Sequence, residues 1–169
     1  HKVTVVDDLS SGKLSNLDSI KEKIQFYQMD VASVEAESVF EGQELVFHLA
    51  ARADIVPSIV KPTEYMLANV VGTLRVLEAV RKYSINRLIY TASSSCYGLA
   101  TEVPTSEKAP IEPMYPYALS KWMAEEMVFH WTKLYKLNAL SLRLFNVYGP
   151  RARTSGNYGA VLGVFFAQK

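Results

Sequence analysis

The chain has 169 residues, of which 49% are apolar and 21% charged, and its formal net charge is +1. That suits one globular domain with a proper core, and gives no reason to expect nucleic acid or a membrane surface as partner. The single cysteine, Cys96, excludes an internal disulfide and fits a reducing, cytoplasmic setting; no apolar run approaches the roughly 18 residues of a membrane span.

Short β-branched runs alternate with longer helical patterns. "VTVVD" (3–7), "IQFYQM" (24–29), "LVFHLAA" (45–51), "RLIYTAS" (87–93) and "ALSLRLF" (139–145) read as strands, several apolar on both faces. "ASVEAESVF" (32–40) predicts a short helix. The stretch 62–83 predicts a long one, with Leu67, Val70, Leu74, Leu77 and Val80 on its apolar face behind a proline suited to a helix start. A second long helix is predicted over 115–136, with Pro116 in its first turn. Strands separated by helices imply parallel pairing, an α/β doubly wound sheet whose ligands sit at the carboxyl ends of the strands.

Each strand end carries a cluster that fits such a role. Asp7, followed by "DLSSG", either accepts hydrogen bonds from an adenosine ribose, favouring NAD over NADP, or is a turn former. Asp30 could accept from an adenine amino group or cap the helix after it. "HLAAR" offers small residues against which a cofactor or another backbone could lie. "YTASSSCYG" sets three hydroxyls in a row, of which Ser93 could bond a substrate hydroxyl and relay its proton. In "YPYALSK" Tyr117 and Lys121 stand four apart, on one helix face. Asn146 in "RLFNVYGPR" offers both a donor and an acceptor, before a Gly149-Pro150 turn.

In this order, Asp after a strand, "HLAA", Asn69 in "ANVVGT", "SSSCYG", "YPYALSK" and "RLFNVYGPR" resemble the extended short-chain dehydrogenase/reductase superfamily. More narrowly, the chain resembles NAD-dependent nucleotide-sugar epimerases of the UDP-glucose 4-epimerase type. The resemblance implies a Rossmann-like NAD-binding domain over 1–169, with a substrate-binding region starting from about 151. It implies Tyr117 as general base and acid, Lys121 on the nicotinamide ribose, and Ser93 as the substrate-bonding hydroxyl. It also assigns Asp7, Ser11 and Gly12 to the adenosine ribose, and Asp30 and Val31 to the adenine. Leu49, Ala50, Ala51, Asn69 and Phe145 would line or steady the cofactor site, and Asn146 would touch the sugar diphosphate. A homodimer through the two long helices is implied as well.

A free tyrosine ionises near pH 10, so a neighbouring ammonium and an oxidised nicotinamide are needed to favour phenolate. Dehydratases of the superfamily place Asp-Glu directly after the catalytic hydroxyl. Here Ser94 and Ser95 occupy those positions, which favours epimerisation or simple oxidation and reduction over elimination. The alternatives are a reductase or dehydrogenase of the same superfamily, or a non-catalytic nucleotide-binding module.

The family's opening strand and glycine-rich turn, which cradles the pyrophosphate, is absent, because "HKVTVVDD" corresponds to the second strand. With the close at "GVFFAQK" inside a helical pattern, this reads as a piece of a longer protein, expected to bind NAD poorly and turn over little by itself. The remaining candidates take plainer readings. His48 is expected in the core, Cys96 as a small apolar residue, and Trp122 and Trp131 in the core or a dimer face. Arg151 and Arg153 either meet a diphosphate or are solvated. No metal set is expected.

Overall fold

The computed structural model describes residues 1–147 together with Gly149 and Arg151. Five strands form where the β-branched runs lie: β1 Val3–Asp7, β2 Ile24–Gln28, β3 Leu45–His48, β4 Arg87–Ser93 and β5 Ala139–Leu144. All pairings are parallel, and they make two sheets, β1-β2 and β3-β4-β5. Setting them side by side gives the order of a doubly wound sheet with its central position open between β1 and β3. Gln43, just before β3, reaches toward Thr4 of β1 across that opening, its Nε2 donating to the threonine Oγ1 at 3.4 Å. The α/β architecture is as expected, and the two halves remain unpaired at that position rather than closing on each other.

Helices cover one face of the larger sheet. They are α1 Ile55–Val60, α2 Pro62–Tyr65, α3 Gly72–Lys82 and α4 Pro116–Tyr135, with a π-helical stretch Met66–Val71 joining α2 to α3. Val76, Leu77, Ala79 and Val80 of α3 and Ala124 and Val128 of α4 pack on Leu88, Tyr90 and Ala92 of β4 to form the core. Helices α2 and α4 start as their sequences suggest, with proline in the first turn, where its missing N–H costs nothing. Helix α4 ends at Lys136 in the left-handed conformation.

Four details differ from the sequence reading. The third strand stops at His48, so Leu49, Ala50 and Ala51 lie in the loop beyond it. The stretch 32–40 forms only a 3-10 helix, Glu35–Phe40. Within 62–83 the wide π turn shifts the helical phase. Tyr65 and Asn69 face inward and Leu67 is left exposed, although an uninterrupted period would bury it. Helix α1, a β-branched run with proline, carried no helical pattern; Ser58 is buried inside it, its hydroxyl donating to the Ile55 carbonyl.

Candidate active site

The loop after β3, the inward turn of the π stretch and the start of α4 are tied together by one asparagine. Asn69 is buried. Its Oδ1 accepts from the Arg52 N–H at 2.7 Å, while its Nδ2 donates to the Arg52 carbonyl at 3.0 Å and to Ser120 Oγ at 2.9 Å. Ser120 Oγ in turn donates to the Tyr117 carbonyl at 2.8 Å. Tyr65 adds a second tie, its hydroxyl donating to the Ala53 carbonyl and its ring meeting the Tyr117 ring edge-on at 6.3 Å. The Tyr117 ring is therefore held by contacts from outside its own helix. Tyr65 and Ser120 were not legible as site residues; Tyr65 lies four residues before Asn69, on the same helix face, the one signal available.

Lys121 is 5% exposed, unusual for a lysine. Its ammonium lies over the Tyr90 ring at 4.5 Å and makes no salt bridge among the described residues. Burial pulls its pKa down to about 8, against an opposing effect of the Glu125 carboxylate. Tyr90, three residues before Ser93 on β4, also donates its hydroxyl to the Lys121 carbonyl at 3.3 Å, seating α4 on that strand. Burial pushes the Tyr90 phenol well above its ordinary value, which keeps it neutral.

Ser93 closes β4 and caps the following 3-10 turn, Ser94–Tyr97. Its hydroxyl donates to Ser95 Oγ at 3.0 Å and accepts from the Ser95 N–H at 3.2 Å. Beneath these groups lies His48, in the core as expected. The Thr73 hydroxyl already donates to the Asn69 carbonyl, so His48 Nε2 is the donor to Thr73 Oγ1, at 2.9 Å. Burial, then the charge on Lys121, lowers the His48 pKa to about 3.

At the other end, Asp7 and Gly12 stand face to face. Asp7 Oδ1 accepts from the Leu9 N–H at 2.7 Å, and a Cβ on Gly12 would lie 3.0 and 3.1 Å from the two carboxylate oxygens. The turn reading of Asp7 thus holds, and glycine at position 12 keeps a side chain off the carboxylate. Ser11, beside it, is exposed. Asp30 Oδ1 accepts from the Ala32 N–H at 2.8 Å, so it shapes a turn rather than capping the helix, which starts later at Glu35. Val31 packs toward Gly72.

Leu49, Phe145 and Asn146 are exposed at the ends of β3 and β5, while Ala50 and Ala51 are half-buried. Cys96 is buried and Trp131 packs on the core, its Nε1 donating to Glu78. Arg153, Pro150 and the segment "TSGNYGA", like the expected region from about 151, lie outside the described residues apart from Arg151. Among the described residues no cluster of His, Cys, Asp and Glu could hold a metal, and no helix is long and apolar enough to cross a membrane.

These residues fit the two ends of a dinucleotide. Any side chain at position 12 would press on the Asp7 carboxylate, and Lys121 presents a buried cation with no anionic partner in contact. The arrangement defines a dinucleotide-binding α/β domain. The family model of the NAD dependent epimerase/dehydratase family matches residues 1–168, and the chain belongs to that family, whose cofactor is NAD.

Its relatives include the UDP-glucose 4-epimerase of Mycolicibacterium smegmatis, 36% identical over 95% of this chain and 53% of that protein. A putative UDP-glucose 4-epimerase of Methanocaldococcus jannaschii is 32% identical with the same coverage. Among solved structures, the UDP-N-acetylglucosamine 4-epimerase of Methanobrevibacter ruminantium, in complex with UDP-N-acetylmuramic acid, superposes with a TM-score of 0.93 at 33% identity. It is matched over 98% of this chain and 54% of that one. A dTDP-glucose 4,6-dehydratase of Streptomyces venezuelae with NAD bound gives 0.84 at 25% identity, over 88% and 48%. The chain spans about half the length of the relatives it matches.

Proposed function

We propose that the protein is a nucleotide-sugar 4-epimerase acting on a UDP-sugar. The observation that carries this is the Lys121 ammonium, buried without an anionic partner in contact and one helical turn beyond Tyr117. NAD, when bound, supplies a reversible hydride acceptor and the positive ring that favours phenolate. Tyr117 takes the proton from the sugar 4-hydroxyl and later returns it. Lys121 donates to the nicotinamide ribose and stabilises the phenolate, and Ser93 bonds the same sugar oxygen once Ser95 releases its hydroxyl. Asp7, Ser11 and Gly12 take the adenosine ribose, with Asp30 and Val31 at the adenine. Leu49, Ala50, Ala51 and Phe145 lie along the cofactor, Asn69 steadies the loop beside it, and Asn146 meets the diphosphate.

Ser94 and Ser95 favour this reading over dehydration, since neither can act as a carboxylic acid or base. A homodimer is part of the proposal. Leu119 and Met123 of α4 and Leu67 and Val71 of the π stretch are exposed apolar residues on helices that would face a second copy.

The test is Tyr117→Phe in the full-length protein, assayed for interconversion of UDP-glucose and UDP-galactose. Loss of general acid–base catalysis predicts a fall in kcat of at least about 100-fold, and unaltered turnover would remove the role of Tyr117. The wild type should interconvert the sugars with no net change in NAD. Stoichiometric NAD consumption would instead make it a dehydrogenase.

A further inference from the structure

Glu125 stands one turn beyond Lys121 on α4, and its side chain is 2% exposed. It accepts from Ser141 Oγ at 2.5 Å and from Arg143 Nε at 2.9 Å to one oxygen and 3.1 Å to the other. Both donors lie on β5, on the face turned toward α4. The far end of Arg143 continues the path, its guanidinium donating to the Tyr97 hydroxyl at 2.9 Å and to the Glu107 carbonyl at 3.4 Å. The same group lies over the rings of Tyr97, at 5.0 Å, and Trp122, at 5.4 Å. Tyr97 is the last residue of the turn that Ser93 caps. An unbroken chain of contacts therefore runs from the helix of Tyr117 and Lys121, through Glu125 and Arg143, to the turn of Ser93.

Stability alone gives a poor account of this arrangement. A buried ion pair recovers little more than its own desolvation cost, and well-packed apolar residues often serve as well or better. What an apolar pair lacks is direction. One guanidinium Nε shared by both carboxylate oxygens, with a hydroxyl on one of them, fixes the axial position of α4 against β5. Charge is the second property. The Glu125 carboxylate is the negative group on α4 that acts on the Lys121 ammonium.

Resting on the assignment of Tyr117, Lys121 and Ser93 above, we infer that Glu125 and Arg143 are positioning residues of the reaction. Their pair holds the Tyr117–Lys121 helix in register with the Ser93 turn, and it sets the charge balance felt by Lys121. The groups that lie against Lys121 or act on it are Tyr90 from β4, His48 from β3 and Glu125 from α4, with Arg143 of β5 behind Glu125. His48 is neutral throughout the working range, and burial keeps Tyr90 neutral. Glu125 and Arg143 are therefore the fixed charges that an experiment can remove.

The Lys121 ammonium is favoured in its protonated form by a negative neighbour. Removing the Glu125 charge lowers its proton affinity, and removing the Arg143 charge raises it. In the full-length, NAD-loaded protein, Glu125→Gln is expected to shift the alkaline limb of the kcat/KM–pH profile toward acid, and Arg143→Met toward alkali. The kcat of each should fall on the order of 100-fold, the loss that a displacement of about 1 Å produces, with KM little changed. Glu125→Asp keeps the charge but shortens the reach, and should lower kcat with the alkaline limb unmoved. Because it retains the ion pair, it carries the test if the neutral variants do not fold.

Wild-type kcat in Glu125→Asp, or an alkaline limb that stays put in both neutral variants, overturns the inference. Tyr117→Phe run alongside separates the two failures. An active Tyr117→Phe sinks the underlying assignment, whereas an inactive one beside a normal Glu125→Asp sinks only the positioning role.

Discussion

The two faces of the β3-β4-β5 sheet are written in nearly the same apolar alphabet and have opposite fates. Rows that share a face follow from the register. One face carries Val46, Leu88 and Ala139, then His48, Tyr90 and Ser141, then Ala92 and Arg143. Helices α3 and α4 cover it. The other carries Leu45 and Phe47 from β3 and Leu140, Leu142 and Leu144 from β5, all exposed, Phe47 at 61% and Leu140 at 51%. Parallel strands buried on both sides read as continuous apolar runs, and these do. Yet the covered face and the helix over it hold His48, Lys121, Glu125 and Arg143, and Ser93 closes β4 in the row of Leu144. Within this sheet, apolar strand residues report where a covering layer fits, and buried polar residues report where the work is done.

The sharpest way to break that comparison is a pair of matched truncations. Leu88→Ala, in the centre of the covered face, should cost about 2–5 kcal/mol of unfolding free energy. Leu140→Ala, on the neighbouring strand but the bare face, should stay within about 0.5 kcal/mol. Urea unfolding of both variants and the parent measures the difference. Similar losses at the two sites would mean that the bare face is covered in solution.

A smaller effect is expected from the buried imidazole of the covered face. Burial, and next the Lys121 charge, holds the His48 pKa at about 3 in the folded protein, against 6.5 for an ordinary histidine. The unfolded chain therefore takes up a proton that the folded one refuses between those values. Stability is lost as pH falls through that window, at up to about 1.4 kcal/mol per pH unit. His48→Gln keeps an N–H for Thr73 and removes the titration. Its stability should fall less steeply between pH 6 and about 4 than the parent's, as read by urea midpoints, and identical slopes would place the acid sensitivity elsewhere.

Much of this was legible beforehand. The five strands, both long helices and the Tyr117–Lys121 spacing come from period and punctuation, which local sequence determines. Three things were not. The π turn at Met66–Val71 adds a residue to the helical count, so Leu67 looked inward while Tyr65, which holds the Tyr117 ring, looked unremarkable. Helix α1 is a β-branched run that folds as a helix only in its tertiary setting. The Glu125–Arg143 pair joins residues 18 apart in the chain. Either one alone reads as a solvated charge, because pairing of this kind exists only once β5 is laid beside α4.

The smallest effect sharpens the comparison from the bare side. Phe47, Leu140 and Leu142 lie on adjoining rows of an exposed apolar surface, and such surfaces bind amphiphilic dyes and promote self-association. Phe47→Lys adds a charge at a site where nothing has to be desolvated, so unfolding free energy should move by no more than about 0.5 kcal/mol. Fluorescence of added anilinonaphthalene sulfonate should fall, and the concentration at which the chain begins to scatter light should rise. The same substitution at Val76 of α3, 1% exposed, would instead bury an unpaired ammonium and unfold the domain. Dye binding that survives Phe47→Lys undiminished would locate the apolar surface away from β3, and the contrast between the two faces would lose its bare half.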